Sequence, residues 1–118
     1  MGTIPTLADQ DRAIRTALGL FLDKLQPSFD VAEVRLFGSR ARGDYRTDSD
    51  VDIAIILRGD RLDFIDTTLC MSDITYDVLL ETGVTVSPFP LWEDDWLHPE
   101  RTLNPRLVAS IKEHGIRL

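Results

Sequence analysis

The chain has 118 residues, 43% of them hydrophobic, and this length and composition predict a single soluble domain over residues 1–118. Its formal net charge is −7, which argues against long duplex DNA or RNA as the main partner, because binding phosphates requires a basic face. A single cysteine, no apolar run near the ~20 residues that cross a bilayer and no signal-peptide layout together predict a cytoplasmic protein without a membrane partner.

The first half of the chain predicts a helix followed by two strands. Apolar residues recur at helical spacing up to Pro27, which ends the helix. The stretch VAEVRLFG (31–38) alternates apolar and polar residues, as a strand does, and SRAR (39–42) forms a short helical turn. VDIAIILR (51–58) is a β-branched run typical of a central strand covered on both faces. The link between these strands is too short for a helical crossover, so we expect them to be antiparallel.

The second half predicts a helix, an edge strand and a final helix. The helix runs from about residue 62 to 81, and we expect its buried side to carry Leu62, Ile65, Leu69, Tyr76 and Leu80. GVTVSPFPL (83–91) contains two prolines, which suit an edge strand or a strand end. The segment around Trp92 and Trp96 predicts one or two amphipathic turns. The two tryptophans are either core residues or part of a docking surface. The last helix begins after Asn104, with Pro105 at its first position, and ends at Gly115.

The order α-β-β-α-β-α predicts an α/β (α+β) fold, in which a small mixed sheet has helices packed against it. Within this fold, two acids stand at the start of the second strand. Asp50 and Asp52 are two residues apart and therefore share a face. Burying both carboxylates without compensation is costly, and either arginines or a divalent cation would compensate them. Mg²⁺ binds one or two carboxylates together with substrate phosphate oxygens, and Mn²⁺ is the alternative ion.

A Gly-Ser turn precedes the two acids. Gly38 lets the backbone approach a phosphate closely, and Ser39 offers a hydroxyl and an N–H at the start of a helical turn. Six of the 13 basic residues lie between positions 35 and 61, which favours binding of a small polyanion such as a nucleoside triphosphate. The alternative is that these arginines are solvated surface residues without a ligand. Neither a P-loop nor a dinucleotide fingerprint is present, since Asp44-Tyr45 stands where a P-loop requires Lys-Ser/Thr.

Gly38-Ser39, ten intervening residues and Asp50-Val51-Asp52 resemble the GS-x10-D-x-D signature of the DNA polymerase-β-like nucleotidyltransferase superfamily. The string LFGSRARGDYRTDSDVDIAI is similar to its smallest members, the minimal nucleotidyltransferase (MNT) domains. The resemblance implies transfer of a nucleoside monophosphate, AMP from ATP or another nucleoside triphosphate, to an acceptor hydroxyl. It implies a role for each matching position: Asp50 and Asp52 as catalytic metal ligands, Gly38 and Ser39 as triphosphate-binding residues, and Arg40 and Arg42 at phosphate or pyrophosphate.

The resemblance also implies a partner, because MNT proteins are commonly antitoxins of HEPN-domain ribonucleases and can adenylylate a tyrosine of the toxin. The family expects a third carboxylate on the strand after the second long helix, where this chain has Thr85 and Ser87. Asp77 is the nearest acid upstream, but its helical stripe is typical of a solvated face. Two alternatives therefore remain: a binding module that occludes a HEPN-type partner, and a structural domain with arginine-paired aspartates. The sequence leaves open whether the chain forms a homo-oligomer.

Overall fold

The computed structural model describes residues 7–46, 49–60 and 63–118. Within them the helices are α1 (Leu7–Leu25), α2 (Ser39–Arg42), α3 (Phe64–Thr82), α4 (Glu93–Leu97) and α5 (Pro105–His114), with a 3₁₀ turn at Pro99–Arg101. The strands are β1 (Val31–Phe37), β2 (Val51–Leu57), β3 (Val86–Trp92) and β4 (Ile116–Arg117). The predicted order is confirmed up to α5, β4 was not predicted, and α2 is the short helical turn expected after the Gly-Ser pair. No helix in these ranges is long and apolar enough to cross a bilayer.

The strands form a mixed sheet with the order β3-β2-β1-β4 over the described part of the chain. β1 and β2 are antiparallel, as the short link between them predicted, whereas β2 and β3 are parallel and are joined through α3. β3 lies at an edge of the sheet, where its two prolines remove no hydrogen bond from a central ladder. β4 pairs with β1 through only Arg117 and Ile116, a strand too short to leave a periodic signal in the sequence.

The central strand β2 is covered on both faces, as its β-branched run predicted. Side chains of alternate β2 residues, Val51, Ile53, Ile55 and Leu57, pack beneath α1 and α3. Ala54 and Ile56 point the other way and pack with residues of β3 and α5, among them Leu91, Val108 and Ile111. The sheet therefore has one helical layer on each face.

The last helix, α5, has the boundaries that its sequence predicted. The Asn104 side chain accepts a hydrogen bond from the backbone N–H of Leu107 at 3.2 Å, which caps the first turn. Nearby, Trp96 packs against the α5 side of the core, and the cationic groups of Arg35 and Lys112 lie 5.5 and 5.2 Å from its ring. Trp92 is fully buried on the opposite face. Trp92 is therefore a core residue, and Trp96 is a partly buried residue packed against the core.

The prediction of which side of α3 is buried was wrong. Thr67, Met71 and Val78 point into the core, whereas four residues expected there are exposed to solvent by 60–67% of their surface: Ile65, Leu69, Tyr76 and Leu80. Leu62 lies outside the described residues. The helix carries apolar residues on two opposite sides, and spacing alone does not say which side meets the sheet.

Candidate active site

Asp52 lies at the centre of the candidate site. It is the second residue of β2 and lies between Phe37 of β1 and Ser87 of β3. All three residues are on the sheet face that carries Ala54 and Ile56, opposite to the α1 and α3 layer. The Asp52 side chain is half-buried, and Ser87 is its direct neighbour on β3. The register of three strands therefore fixes the position of this carboxylate.

Gly38 lies directly against the Asp52 carboxylate. Its backbone dihedrals are φ 73° and ψ −154°, a combination that is essentially restricted to glycine. A Cβ atom at position 38 would collide with Oδ2 of Asp52. The sequence predicted Gly38 as a point of close approach to phosphate; here the absent side chain makes room for the carboxylate. This contact brings the Gly-Ser turn and the second acid of the motif together in one place.

Asp50 precedes β2 and is exposed, so the expectation that both acids lie on a buried strand was wrong for this residue. Partial burial raises the pKa of Asp52 above its ordinary value, and the nearby charge of Asp50 raises that pKa further. The neighbouring Ser87 side chain and the positive charge of Arg42 lower the same pKa and offset part of the effect. Two neighbouring carboxylates with incomplete compensation would gain from a bound cation.

The two arginines predicted to contact phosphate are placed differently. The Arg40 guanidinium donates to the Ser49 carbonyl from Nε at 3.2 Å and from Nη2 at 2.9 Å, and it lies 4.6 Å from the Tyr45 ring centroid. Arg40 thereby ties α2 to the segment that leads into Asp50. The Arg42 side chain is 62% exposed, with Nε 3.4 Å from Oδ2 of Asp44. Its charge also reaches Asp52, so Arg42 is better placed than Arg40 to meet an anion at the site.

Ser39 begins α2 immediately after Gly38. Its carbonyl accepts hydrogen bonds from the backbone N–H groups of Gly43 at 2.9 Å and Asp44 at 3.2 Å, which close the short helix. The Ser39 side chain is half-buried. The Gly-Ser pair thus forms a rigid corner between β1 and α2, and this corner is adjacent to the carboxylate of Asp52.

Residues 17–118 match the family model described as nucleotidyltransferase domain. The chain belongs to this family. A crystal structure of a protein from Sulfolobus solfataricus, provisionally named a nucleotidyltransferase, is similar in fold, with a TM-score of 0.55 and 23% sequence identity. The match covers 89% of this chain and 84% of that protein. No curated protein matches the sequence significantly. The predicted fold class is confirmed, and the family supports nucleotidyl transfer as the general activity of this nucleotidyltransferase domain.

The strand on which the sequence resemblance predicts a third carboxylate is β3, and this strand carries Ser87. Ser87 is the direct neighbour of Asp52 in the parallel β2–β3 pair. Asp77 is exposed on α3, in the layer on the opposite face of the sheet. Over the ranges described here, no three His, Cys, Asp or Glu side chains gather as a metal site. The candidate acids of this nucleotidyltransferase domain are therefore Asp50 and Asp52.

The donor set of these two acids fits a magnesium ion. Members of this family generally use a nucleoside triphosphate and a divalent metal. Mg²⁺ is commonly held by one or two carboxylates, while waters and substrate phosphate oxygens complete its shell. Asp50 and Asp52 supply two carboxylates whose mutual repulsion a cation would relieve. In this nucleotidyltransferase domain, Asp50 and Asp52 are the residues that would hold the ion.

Two contacts at the site were missed by sequence reasoning. The first is the pairing of Ser87 with Asp52, which depends on the register of β2 and β3. The second is the packing of Arg40 on Tyr45, five residues further along the chain. Alternation and spacing predict strands but not their register, so no sequence signal identified the first contact. An aromatic residue within an arginine-rich loop was a signal for the second.

Proposed function

We propose that this nucleotidyltransferase domain transfers a nucleoside monophosphate, AMP from ATP, to a hydroxyl group of a partner protein, with Mg²⁺ or Mn²⁺ as the metal. The observation that carries the proposal is the direct approach of Gly38 to Asp52. It joins the two halves of the family signature, the Gly-Ser turn and the paired acids, at one end of the two central strands. The family membership of residues 17–118 supports the reaction class.

Each residue of the proposed site has a chemical role that follows from its position. Asp50 and Asp52 would hold the metal ion, which would supply positive charge to stabilise the phosphate oxygens during an in-line displacement. Ser39 and the backbone at Gly38 bind the triphosphate. Arg42, exposed and close enough to act on Asp52, stabilises the negative charge of the leaving pyrophosphate.

Arg40 has a positioning role in this proposal. Its guanidinium holds the Ser49 carbonyl, one residue before Asp50, while its backbone belongs to α2. A group bonded in this way fixes the distance between the turn that binds phosphate and the acids that bind metal. Arg40 therefore orients the site, and Arg42 contacts the substrate.

The partner in this proposal is a HEPN-domain toxin with a tyrosine hydroxyl as the acceptor, which makes the chain an MNT-type antitoxin of the cytoplasm. The support is the similarity of LFGSRARGDYRTDSDVDIAI to MNT domains and the net charge of −7. An acidic protein suits a partner with a basic, RNA-binding surface, because opposite potentials favour association.

A second function is favoured by Ser87. If the third carboxylate is needed to activate the acceptor hydroxyl, a serine at that position leaves a site that binds nucleotide but transfers it slowly or not at all. The domain would then neutralise its HEPN-type partner by covering the partner's active site. This alternative retains binding of the partner and removes the covalent modification.

The deciding experiment follows label from α-labelled ATP with Mg²⁺, using the chain and a co-expressed HEPN-domain protein from its source. Asp52→Asn tests the site, and Asp23→Asn is the matched control, since Asp23 is an exposed acid of α1 far from the motif. Label on the partner with wild type and Asp23→Asn, but not with Asp52→Asn, supports transfer. Co-purification of the partner with all three chains and label with none supports occlusion. Absence of the partner in every sample contradicts both functions.

A further inference from the structure

The outward side of α3 carries an apolar stripe that no other described part of the chain covers. Ile65, Leu69, Tyr76 and Leu80 form this outer stripe, and each is at least 60% exposed. They follow one another at helical spacing, directly opposite the inward-facing Met71 and Val78. A surface helix of a soluble protein normally carries one apolar side, and a helix with two is normally covered on both. An exposed contiguous patch of this kind marks an interaction site.

A row of acids follows the outer stripe along one side. At about 100° per residue, Asp66, Asp73, Asp77 and Glu81 fall on the same flank of α3, next to the apolar residues. The helix contains no Lys, Arg or His. One of the four acids, Glu81, has its Oε1 3.6 Å from Nζ of Lys24 on α1. The stripe is therefore an apolar surface bordered by negative charge.

We propose that the outer stripe docks a protein partner whose own helix presents apolar side chains beside a row of Lys or Arg. Such a helix would bury Leu69 and Leu80 and would place its cations opposite the acids of α3. An amphipathic helix on an apolar helical face is a recurring mode of recognition, with anchors at i, i+4 and i+7 spacing. The charges would determine which partner binds and would accelerate its association.

The negative charge of α3 favours a basic partner helix over two other occupants of the stripe, a second copy of the chain and an anionic membrane. In a two-fold dimer with antiparallel α3 helices, the acid rows of both chains would lie on the same side of the interface and repel each other. The net charge of −7 adds to that repulsion. A membrane surface rich in anionic lipids would repel the acid row in the same way. With a basic partner helix, the electrostatic interaction with the acid row is attractive instead of repulsive.

The outer stripe is independent of the candidate active site. α3 packs with α1 on one face of the sheet, whereas Asp52 and Ser87 point to the other face. A helix docked along α3 therefore leaves the Gly-Ser turn and the paired acids open. The docking proposal holds whether or not nucleotidyl transfer takes place.

The test uses two synthetic peptides of about 18 residues, long enough to form a helix. Both carry the same leucine stripe; one has Lys and Arg on its flanks and the other has Glu. Binding of each fluorescently labelled peptide to the full chain is measured by anisotropy at two salt concentrations. Leu69→Asp and Leu80→Asp disrupt the outer stripe. Leu103→Asp is the matched control, because Leu103 is fully exposed outside α3 and the change in charge is identical.

The basic peptide should bind wild type and Leu103→Asp alike, and bind Leu69→Asp and Leu80→Asp at least about tenfold more weakly. That loss would occur although both variants gain a negative charge that attracts the peptide. The acidic peptide should bind none of them tightly. Equal binding of both peptides, equal loss in all three variants, or no binding to wild type would overturn the proposal. Sedimentation of the chain without peptide measures its oligomeric state. If wild type is a dimer and Leu69→Asp is a monomer, the stripe binds a second copy of the chain and the proposal is wrong.

Discussion

Replacing Gly38 by alanine should strain the backbone and displace the Asp52 carboxylate. The dihedrals of Gly38 are nearly exclusive to glycine, and a residue forced into such a region costs about 1–3 kcal/mol. The new Cβ would also push the Asp52 side chain from its position, and an off-rotamer side chain costs about 0.5–1.5 kcal/mol. The two effects together predict a loss of roughly 1.5–4.5 kcal/mol in the free energy of unfolding.

Urea unfolding of Gly38→Ala and Gly43→Ala measures this loss against a matched control. Gly43 lies at the other end of α2 with φ 85° and ψ 5°, so alanine there also meets a positive φ. No described atom lies within 4 Å of a Cβ placed at position 43, and the expected cost is only about 1 kcal/mol. Titration with Mg²⁺ gives a second measurement. The ion should stabilise wild type and Gly43→Ala, but it should stabilise Gly38→Ala much less, because Asp52 has moved.

Urea unfolding of Gly38→Ala and Gly43→Ala without Mg²⁺ tests by itself whether the contact between Gly38 and Asp52 constrains the fold. If Gly38→Ala unfolds with the same free energy as Gly43→Ala, the close contact between Gly38 and Asp52 does not constrain the fold. If Gly38→Ala is strongly destabilised but responds to Mg²⁺ as wild type does, the contact matters for folding and Asp52 is not a metal ligand.

Four further outcomes are expected. Met71→Ala should cost about 2–5 kcal/mol in urea unfolding and Leu69→Ala no more than about 0.5, and equal losses would contradict the orientation of α3. The pKa of Asp52 is raised in the folded state, so its charged form destabilises the fold once the pH rises through that pKa. In EDTA, Asp52→Asn should therefore melt at a higher temperature than wild type at pH 7, and the difference should disappear in acid. A lower melting temperature of Asp52→Asn at pH 7 would contradict the raised pKa. Ser87→Asp should tighten Mn²⁺ binding in calorimetry, and unchanged affinity would show that position 87 does not face the metal. Gly19→Ala, in an exposed part of α1, should stabilise by about 0.5–1 kcal/mol in the same urea assay, and a loss would mean that α1 is distorted there.

The elements that could be predicted from the sequence are those with an unambiguous local signal. Helix α5 has a cap and a proline at its start and a glycine at its end, and its boundaries were correct. β2 has a β-branched run that only a covered central strand explains. The orientation of α3 was not predictable in this way, because two apolar sides give the same period. Choosing between them requires the shape of the sheet beneath the helix, which is tertiary information.

In the candidate site too, features with a local sequence signal were predictable, and features that depend on tertiary structure were not. The spacing from Gly38 to Asp52 carried the family resemblance, because residue types at fixed intervals can be read directly from the chain. The contact between these two residues, and the Ser87 neighbour of Asp52, depend on how three strands align. Arg40 was expected at phosphate because arginines in such turns commonly are. Its bonds to the Ser49 carbonyl depend on the path of the loop, which composition does not determine.

Both edges of the sheet resist the addition of another strand. At one edge, Pro88 and Pro90 of β3 have no N–H to offer to an incoming chain. At the other, β4 is only two residues long, and Arg117 from it forms an ion pair with Glu33 of β1 at 3.3 Å. β-Augmentation, in which a partner extends a sheet through main-chain hydrogen bonds, is therefore disfavoured at either edge. We therefore expect another protein to recognise this domain through side chains, on the helical layers or at the open end where Asp52 lies.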